Sequence, residues 1–139
     1  MQLRSAARVV LGGALVLAGL SHLAWSRIEF QAQVPDWVGI DKNVVVVASG
    51  IVEIALGAAL LVVRRHRWLV GLAAGLLFIA VFPGNVSQFV DGHDAFGLNS
   101  DSARRNRLFF QPVLVAWAWW STGAVGSLAQ WWRARRTAT

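Results

Sequence analysis

Residues 43–63 read NVVVVASGIVEIALGAALLVV, an apolar run broken at its centre by one ionisable residue, Glu53. A helix of about 20 residues crosses a bilayer core of about 30 Å. A chain in hydrocarbon must also satisfy its own backbone hydrogen bonds, which a helix does. The run therefore predicts a spanning helix. It also puts a carboxyl group deep in the bilayer, where it has to face protein rather than acyl chains.

Three further apolar segments flank this one: Val9 to Trp25, Trp68 to Val90 and Leu108 to Trp132. The first contains Ser21 and His22, the third Pro83-Gly84-Asn85, and the last Gln111, Pro112 and Ser121. The expected helices are 8–25, 43–63, 68–90 and 108–132, in a single membrane domain covering 1–139. The fold class that follows is all-α: an antiparallel four-transmembrane-helix bundle with both termini on the same side. The short Arg64-Arg65-His66-Arg67 turn makes the second and third helices neighbours, and Ser26–Lys42 and Asp91–Arg107 read as longer loops. The first segment ends in Ser-His-Leu-Ala-Trp, a poor cleavage site, so it is expected to be retained rather than removed as a signal.

Composition agrees. The chain has 139 residues, 56% hydrophobic and 14% charged, with mean hydropathy +0.52. Soluble domains carry about 25% charged residues, so an ordinary soluble enzyme, a coiled coil and a disordered chain are all disfavoured. With no cysteine, the chain has no disulfide, thiolate metal site, iron–sulfur cluster or cysteine nucleophile. Net charge is +6, and every basic residue but Lys42 is Arg. These residues sit at the ends of apolar runs, which reads as orientation and contact with anionic membrane lipids. No DNA- or RNA-binding module is recognisable, so no nucleic-acid partner is expected. Arg4, Arg8, Arg64, Arg65, Arg67, Arg133, Arg135 and Arg136 fall on the side of the termini, against Arg27, Lys42, Arg104, Arg105 and Arg107 opposite. That bias predicts cytoplasmic termini. Trp25, Trp37, Trp68, Trp131 and Trp132 lie where an interfacial aromatic belt belongs.

Each expected helix carries a stripe of small or polar residues, the usual mark of close helix approach in a bilayer. Gly12, Gly19 and His22 share a face, as do Ser49, Glu53 and Gly57. Gly71 and Gly75 are followed on roughly the same side by Phe78, Phe82 and Asn85, and Gln111 aligns with Ala118 and Thr122. The Gly71/Gly75 pair serves packing within the chain or, as a homo-oligomer contact, between copies. Packing within the chain is preferred, since three other helices are at hand.

Turning the stripes inward brings His22, Glu53, Asn85 and Gln111, one residue from each helix, into the outer half of the bundle. Glu53 is the most informative of the four, with His22 and Gln111 as its expected partners. Helical rise puts His22 and Glu53 roughly 9 Å apart in depth. Pro83 frees backbone carbonyls near Asn85, and Gln111-Pro112 reads as a helix start with Pro in the first turn. Weaker signals are Asp91-Gly92-His93-Asp94, read as a solvated loop with no metal site expected, and Trp117, Trp119 and Trp120, one or two of which would suit the wall of a flat ligand. No phosphate loop, nucleophile elbow, zinc motif or dinucleotide fingerprint is present.

Gly19-Leu20-Ser21-His22, Gly50-x-x-Glu53-x-x-x-Gly57, Phe82-Pro83-Gly84-Asn85 and Leu108-x-x-Gln111-Pro112, together with Val34-Pro35-Asp36-Trp37, resemble the DoxX-like family of small bacterial integral membrane proteins. The resemblance covers nearly the whole chain. It implies a multi-pass protein of the bacterial cytoplasmic membrane, and a link to quinone-dependent oxidation of sulfur compounds through an oxidoreductase partner subunit. Most members of that family have no assigned activity, and some distant relatives act as membrane chaperones.

The leading expectation is a redox-associated subunit with no covalent cofactor, binding a quinone or similar prenyl lipid. In that reading Glu53 and His22 handle protons while Asn85 and Gln111 hydrogen-bond the head group. The alternatives are a non-catalytic lipid-binding or chaperone-like scaffold, and an acid/base lipid isomerase using Glu53 and His22.

Overall fold

The computed structural model describes residues 2–92, 94, 95, 97 and 100–137. Among them are six α-helices: α1 (Gln2–Leu23), α2 (Arg27–Gln31), α3 (Lys42–Val62), α4 (Arg67–Val90), α5 (Asp101–Thr122) and α6 (Ala124–Arg136). A 3-10 turn, Asp36–Val38, lies between α2 and α3. Helices α1, α3 and α4 are long and apolar enough to cross a membrane. Their outward faces carry Leu17, Val62 and Leu76, which are 64%, 73% and 60% exposed. Apolar surface of that extent needs lipid as its solvent. The protein is an all-α, multi-pass integral membrane protein.

The helices pack in two antiparallel pairs. In the first, Gly12 lies against Gly57 and Gly19 against Gly50. A Cβ at Gly19 would stand 2.5 Å from the Gly50 carbonyl, and one at Gly57 2.7 Å from the Gly12 carbonyl. The two backbones are thus in direct contact, which only glycine permits. In the second pair, Gly71 seats Thr122 and Gly75 seats the Trp119 ring. The Gly71/Gly75 motif therefore packs within the chain, as expected. Leu11, Leu15, Leu60, Ala74, Phe78 and Ala118 join the two pairs into one core. A hydrogen bond from Trp117 Nε1 to the Ala7 carbonyl (3.0 Å) ties α5 to α1.

The first three apolar segments fold much as predicted, except that α1 begins well before residue 8. The fourth differs. The predicted 108–132 helix is two helices, α5 and α6, separated by Gly123 at φ +73. That left-handed glycine caps α5 through its N–H to Trp120. At the other end α5 starts at Asp101, with the Ser100 hydroxyl accepting from Ala103 N at 3.2 Å. Gln111-Pro112 is therefore helix interior and not a helix start. Pro83 is likewise inside α4, which continues to Val90. Each proline removes one helical donor, which membrane helices tolerate when neighbours re-satisfy the backbone.

Two arginines counted as surface charge are buried. Arg8 Nη1 donates to the Leu60 (2.5 Å) and Val63 (3.3 Å) carbonyls, capping the last turn of α3. Arg104 binds Asp94 at 2.6 Å and Asp101 at 3.0 Å.

Candidate functional site

The site grows out of the α1–α3 seam. Gly50 leaves room for His22, since a Cβ there would meet the His22 Cβ at 2.8 Å. Helical side chains lean toward their own N-terminus. In antiparallel helices, His22 and Glu53 therefore lean toward each other along the axis. The roughly 9 Å depth difference expected from helical rise closes to 3.1 Å between His22 Nδ1 and Glu53 Oε2.

Both groups are buried, His22 to 6% and Glu53 to 8% exposure. His22 Nδ1 also lies 2.9 Å from the Ala18 carbonyl one turn back. A carbonyl oxygen only accepts, so Nδ1 carries the proton. Phe30, from α2, stacks on the imidazole with ring centroids 3.4 Å apart and planes at 22°.

The second pair builds the facing wall. Asn85 Nδ2 donates to Gln111 Oε1 at 2.9 Å, and Gln111 Nε2 donates to the Phe78 carbonyl at 2.6 Å. The amide chain thus supports α4 in the stretch leading to Pro83. Gln111 does not partner Glu53 as expected; its bonds run to Asn85 and Phe78. Gly84 admits the connection after α2, with a Cβ there standing 2.5 Å from the Gln33 carbonyl.

His22, Glu53, Asn85 and Gln111 all line one cavity of about 480 Å³, within the range of small-molecule sites. Its remaining walls are mostly apolar, with Leu15, Val46, Phe78 and Leu114 deep and Trp37 at the roof. The Ser26–Lys42 connection, read as a loop, folds as α2 and the 3-10 turn and supplies Phe30, Gln33, Val34 and Trp37 to that roof. None of Trp117, Trp119 and Trp120 lines this cavity. Trp119 instead borders a separate, almost wholly apolar groove with Ile79, Phe82 and Pro112.

Arg107 is the site residue the sequence reading missed. It lines the cavity one turn before Gln111. That spacing, four residues on one helical face, was the available signal. With the Gln33 amide oxygen turned toward it, Arg107 donates at 2.6 and 2.8 Å. An arginine stays charged in such a setting. The cavity therefore combines an acidic group, an imidazole, an amide pair and a cation inside apolar walls.

Among the described residues no cluster of three metal-ligating groups occurs, and His93 of the Asp91–Asp94 stretch lies outside them. No curated protein and no solved structure matches the chain. A family model described as a domain of unknown function, DUF8561, matches residues 11–122, a span that takes in His22, Glu53, Asn85, Arg107 and Gln111 of the cavity. The chain belongs to the DUF8561 family.

Proposed function

We propose that this protein is a membrane subunit of DoxX-like type that holds the head group of a quinone or similar prenyl lipid in the cavity. The observation that carries the reading is the meeting of His22, Glu53, Asn85 and Gln111 in one cavity of about 480 Å³ whose walls are mostly apolar. Independent placement of four polar residues on four lipid-bathed helices would not bring that about, and intramembrane ionisable groups mark functional sites. In this reading α5 is a fourth span, both termini face the cytoplasm, and an oxidoreductase partner subunit docks in or on the bacterial cytoplasmic membrane.

A quinone supplies two-electron, two-proton chemistry when bound. The chain contributes binding and proton handling. Glu53 takes or gives a proton at its carboxylate, and His22 relays it. Asn85 keeps one amide N–H beyond its bond to Gln111, which orients a ligand oxygen. The apolar walls exclude water and accept the ring.

Native mass spectrometry of protein purified with its own lipids tests this directly. A copurifying prenyl quinone that is lost in Glu53→Gln supports the site; its absence from the native protein removes the reading.

One observation favours a second reading, a lipid-binding or chaperone-like scaffold. Asn85, Gln111 and the Phe78 carbonyl bond one another within the chain, as the members of a structural network do. Unchanged stability and unchanged cellular phenotype in Glu53→Gln would select that reading. The 3.1 Å approach of His22 and Glu53 also places an acid and a base within reach of one substrate, as an isomerase requires. Turnover of a lipid olefin or carbonyl by the purified protein is its test.

A further inference from the structure

The two helix pairs are joined in the inner half of the bundle and part in the outer half. Leu60 and Ala74 hold them together near the α3–α4 turn, while Leu15 and Phe78 end that core and floor the cavity. Above this floor the space between the pairs is the cavity itself.

The exposure of the lining residues locates its mouth. Among the described residues around the cavity, only Trp37, Ala80 and Pro83 are exposed. Two belong to α4 and the third to the 3-10 turn; none belongs to α1 or α5. Ala80 stands nine residues from Gly71, two and a half turns, so it lies on the side of α4 opposite the face that seats α5. Across the gap α3 contributes Val45 and Ser49, both half-buried. The mouth is therefore lateral, between α3 and α4.

Its depth puts it in hydrocarbon. Ala80 is thirteen residues from the start of α4 at Arg67, and Ser49 thirteen from the end of α3 at Val62. Helical rise sets both about 20 Å from the inner end of a core about 30 Å thick. The exposed members of the rim are all apolar, as a surface solvated by acyl chains requires.

We propose that the cavity is loaded sideways from the bilayer, through a portal between α3 and α4 bordered by Val45, Ser49, Ala80 and Pro83 under Trp37. This rests on the ring-binding reading above and narrows the ligand class: an amphiphile with one flat polar head and one flexible apolar tail. The head turns into the cavity while the tail stays among acyl chains outside the portal.

The first test uses the native chain in lipid nanodiscs and a decyl-tailed benzoquinone carrying a photoreactive diazirine in the tail beside the ring. Label displaceable by unmodified quinone is expected on residues 45–49 of α3 and 80–83 of α4. Displaceable label only on Val115 and Trp119 beside α4, or only on the 3-10 turn, overturns the portal and leaves ring binding standing. No displaceable label anywhere overturns both. The second test exploits the absence of cysteine. Ser49→Cys with Ala80→Cys supplies one thiol pair, which a bis-thiosulfonate joins across the gap and a reductant frees. Joining before ligand is added is expected to slow quinone binding at least about tenfold, as a closed gate does, and reduction to restore it. An unchanged rate in the joined protein overturns the portal. The labelling needs no variant, so the folding of the cysteine pair does not decide the outcome.

Discussion

The two helix pairs use glycine against different things. Where α1 meets α3 the glycines face the partner's backbone: Gly12 the Gly57 carbonyl, Gly19 the Gly50 carbonyl. Where α4 meets α5 the glycines face side chains: Gly71 that of Thr122, Gly75 that of Trp119. A backbone cannot retreat without moving its helix, whereas a side chain can change rotamer. The first pair is a fixed seam and the second an adjustable one. The chemistry divides the same way. The ionisable pair sits on the fixed seam. The adjustable pair carries both helix prolines and an amide network that supports them.

The largest expected effect is on the fixed seam. Gly19→Ala puts a methyl 2.5 Å from a backbone carbonyl and is expected to cost about 3 kcal/mol, the upper part of the range for overpacking. Gly75→Ala is expected to cost less, about 1 kcal/mol, because the atoms its methyl would meet belong to the Trp119 indole, which can rotate. Unfolding in mixed detergent micelles, followed by tryptophan fluorescence, measures both. Equal costs would erase the distinction between the seams.

The next contrast separates structure from chemistry. Gln111→Leu strands the Asn85 amide and removes the donor to Phe78. It is expected to cost about 2 kcal/mol, as a buried polar group losing its partner does. Glu53→Gln is expected to cost under about 1 kcal/mol, because Oε2 accepts no hydrogen bond in the native fold. Its effect belongs in ligand binding. A Glu53→Gln protein as damaged as Gln111→Leu would make the carboxylate a structural group.

These contrasts bear on what a sequence can reveal. The Gly12–Gly19–His22 and Glu53–Gly57 faces were legible because period-3.6 spacing is local, and a carboxylate in hydrocarbon has few places to point. That four polar residues share a cavity followed from turning those faces inward. What stayed hidden depends on contacts distant in the chain. Phe30 stacks on His22 only because α2 folds back across the end of α1, and no periodicity announces a five-residue helix. Arg107 was read as an orientation charge, since charge counting ignores which face of a helix a residue occupies. Pro112 looked like a helix start because soluble-protein rules put proline in the first turn. The true start was written in Ser100-Asp101, a cap followed by an acid. Gly123 follows Ser121-Thr122 inside the last apolar segment, and the break between α5 and α6 depends on a positive φ that composition does not encode.

A third test examines the far end of the fixed seam. Arg8→Met keeps the apolar stem of the side chain but loses the bonds to the Leu60 and Val63 carbonyls. The expected cost is about 1.5 kcal/mol, the low end for a hydrogen bond from a charged donor. The cavity lies toward the other end of the pair, so ligand affinity should hold. Loss of affinity in Arg8→Met would show that the seam transmits its register to the site.

The smallest expected effect has the opposite sign and tests the seam most locally. Gly12 and Gly13 are adjacent in α1 and differ only in face. A Cβ at Gly12 would come 2.9 Å from the Gly57 carbonyl, while one at Gly13 meets nothing within 4 Å. Glycine inside a helix costs about 0.5–1 kcal/mol relative to alanine through lost backbone freedom. At Gly12 that gain is outweighed by the clash; at Gly13 nothing opposes it. Gly13→Ala is therefore expected to raise stability by about 0.5 kcal/mol, and Gly12→Ala to lower it, in the same micelle titration. Matching destabilisation at both positions would mean that the Gly13 face packs on something outside this chain, a second copy being the first to check by crosslinking.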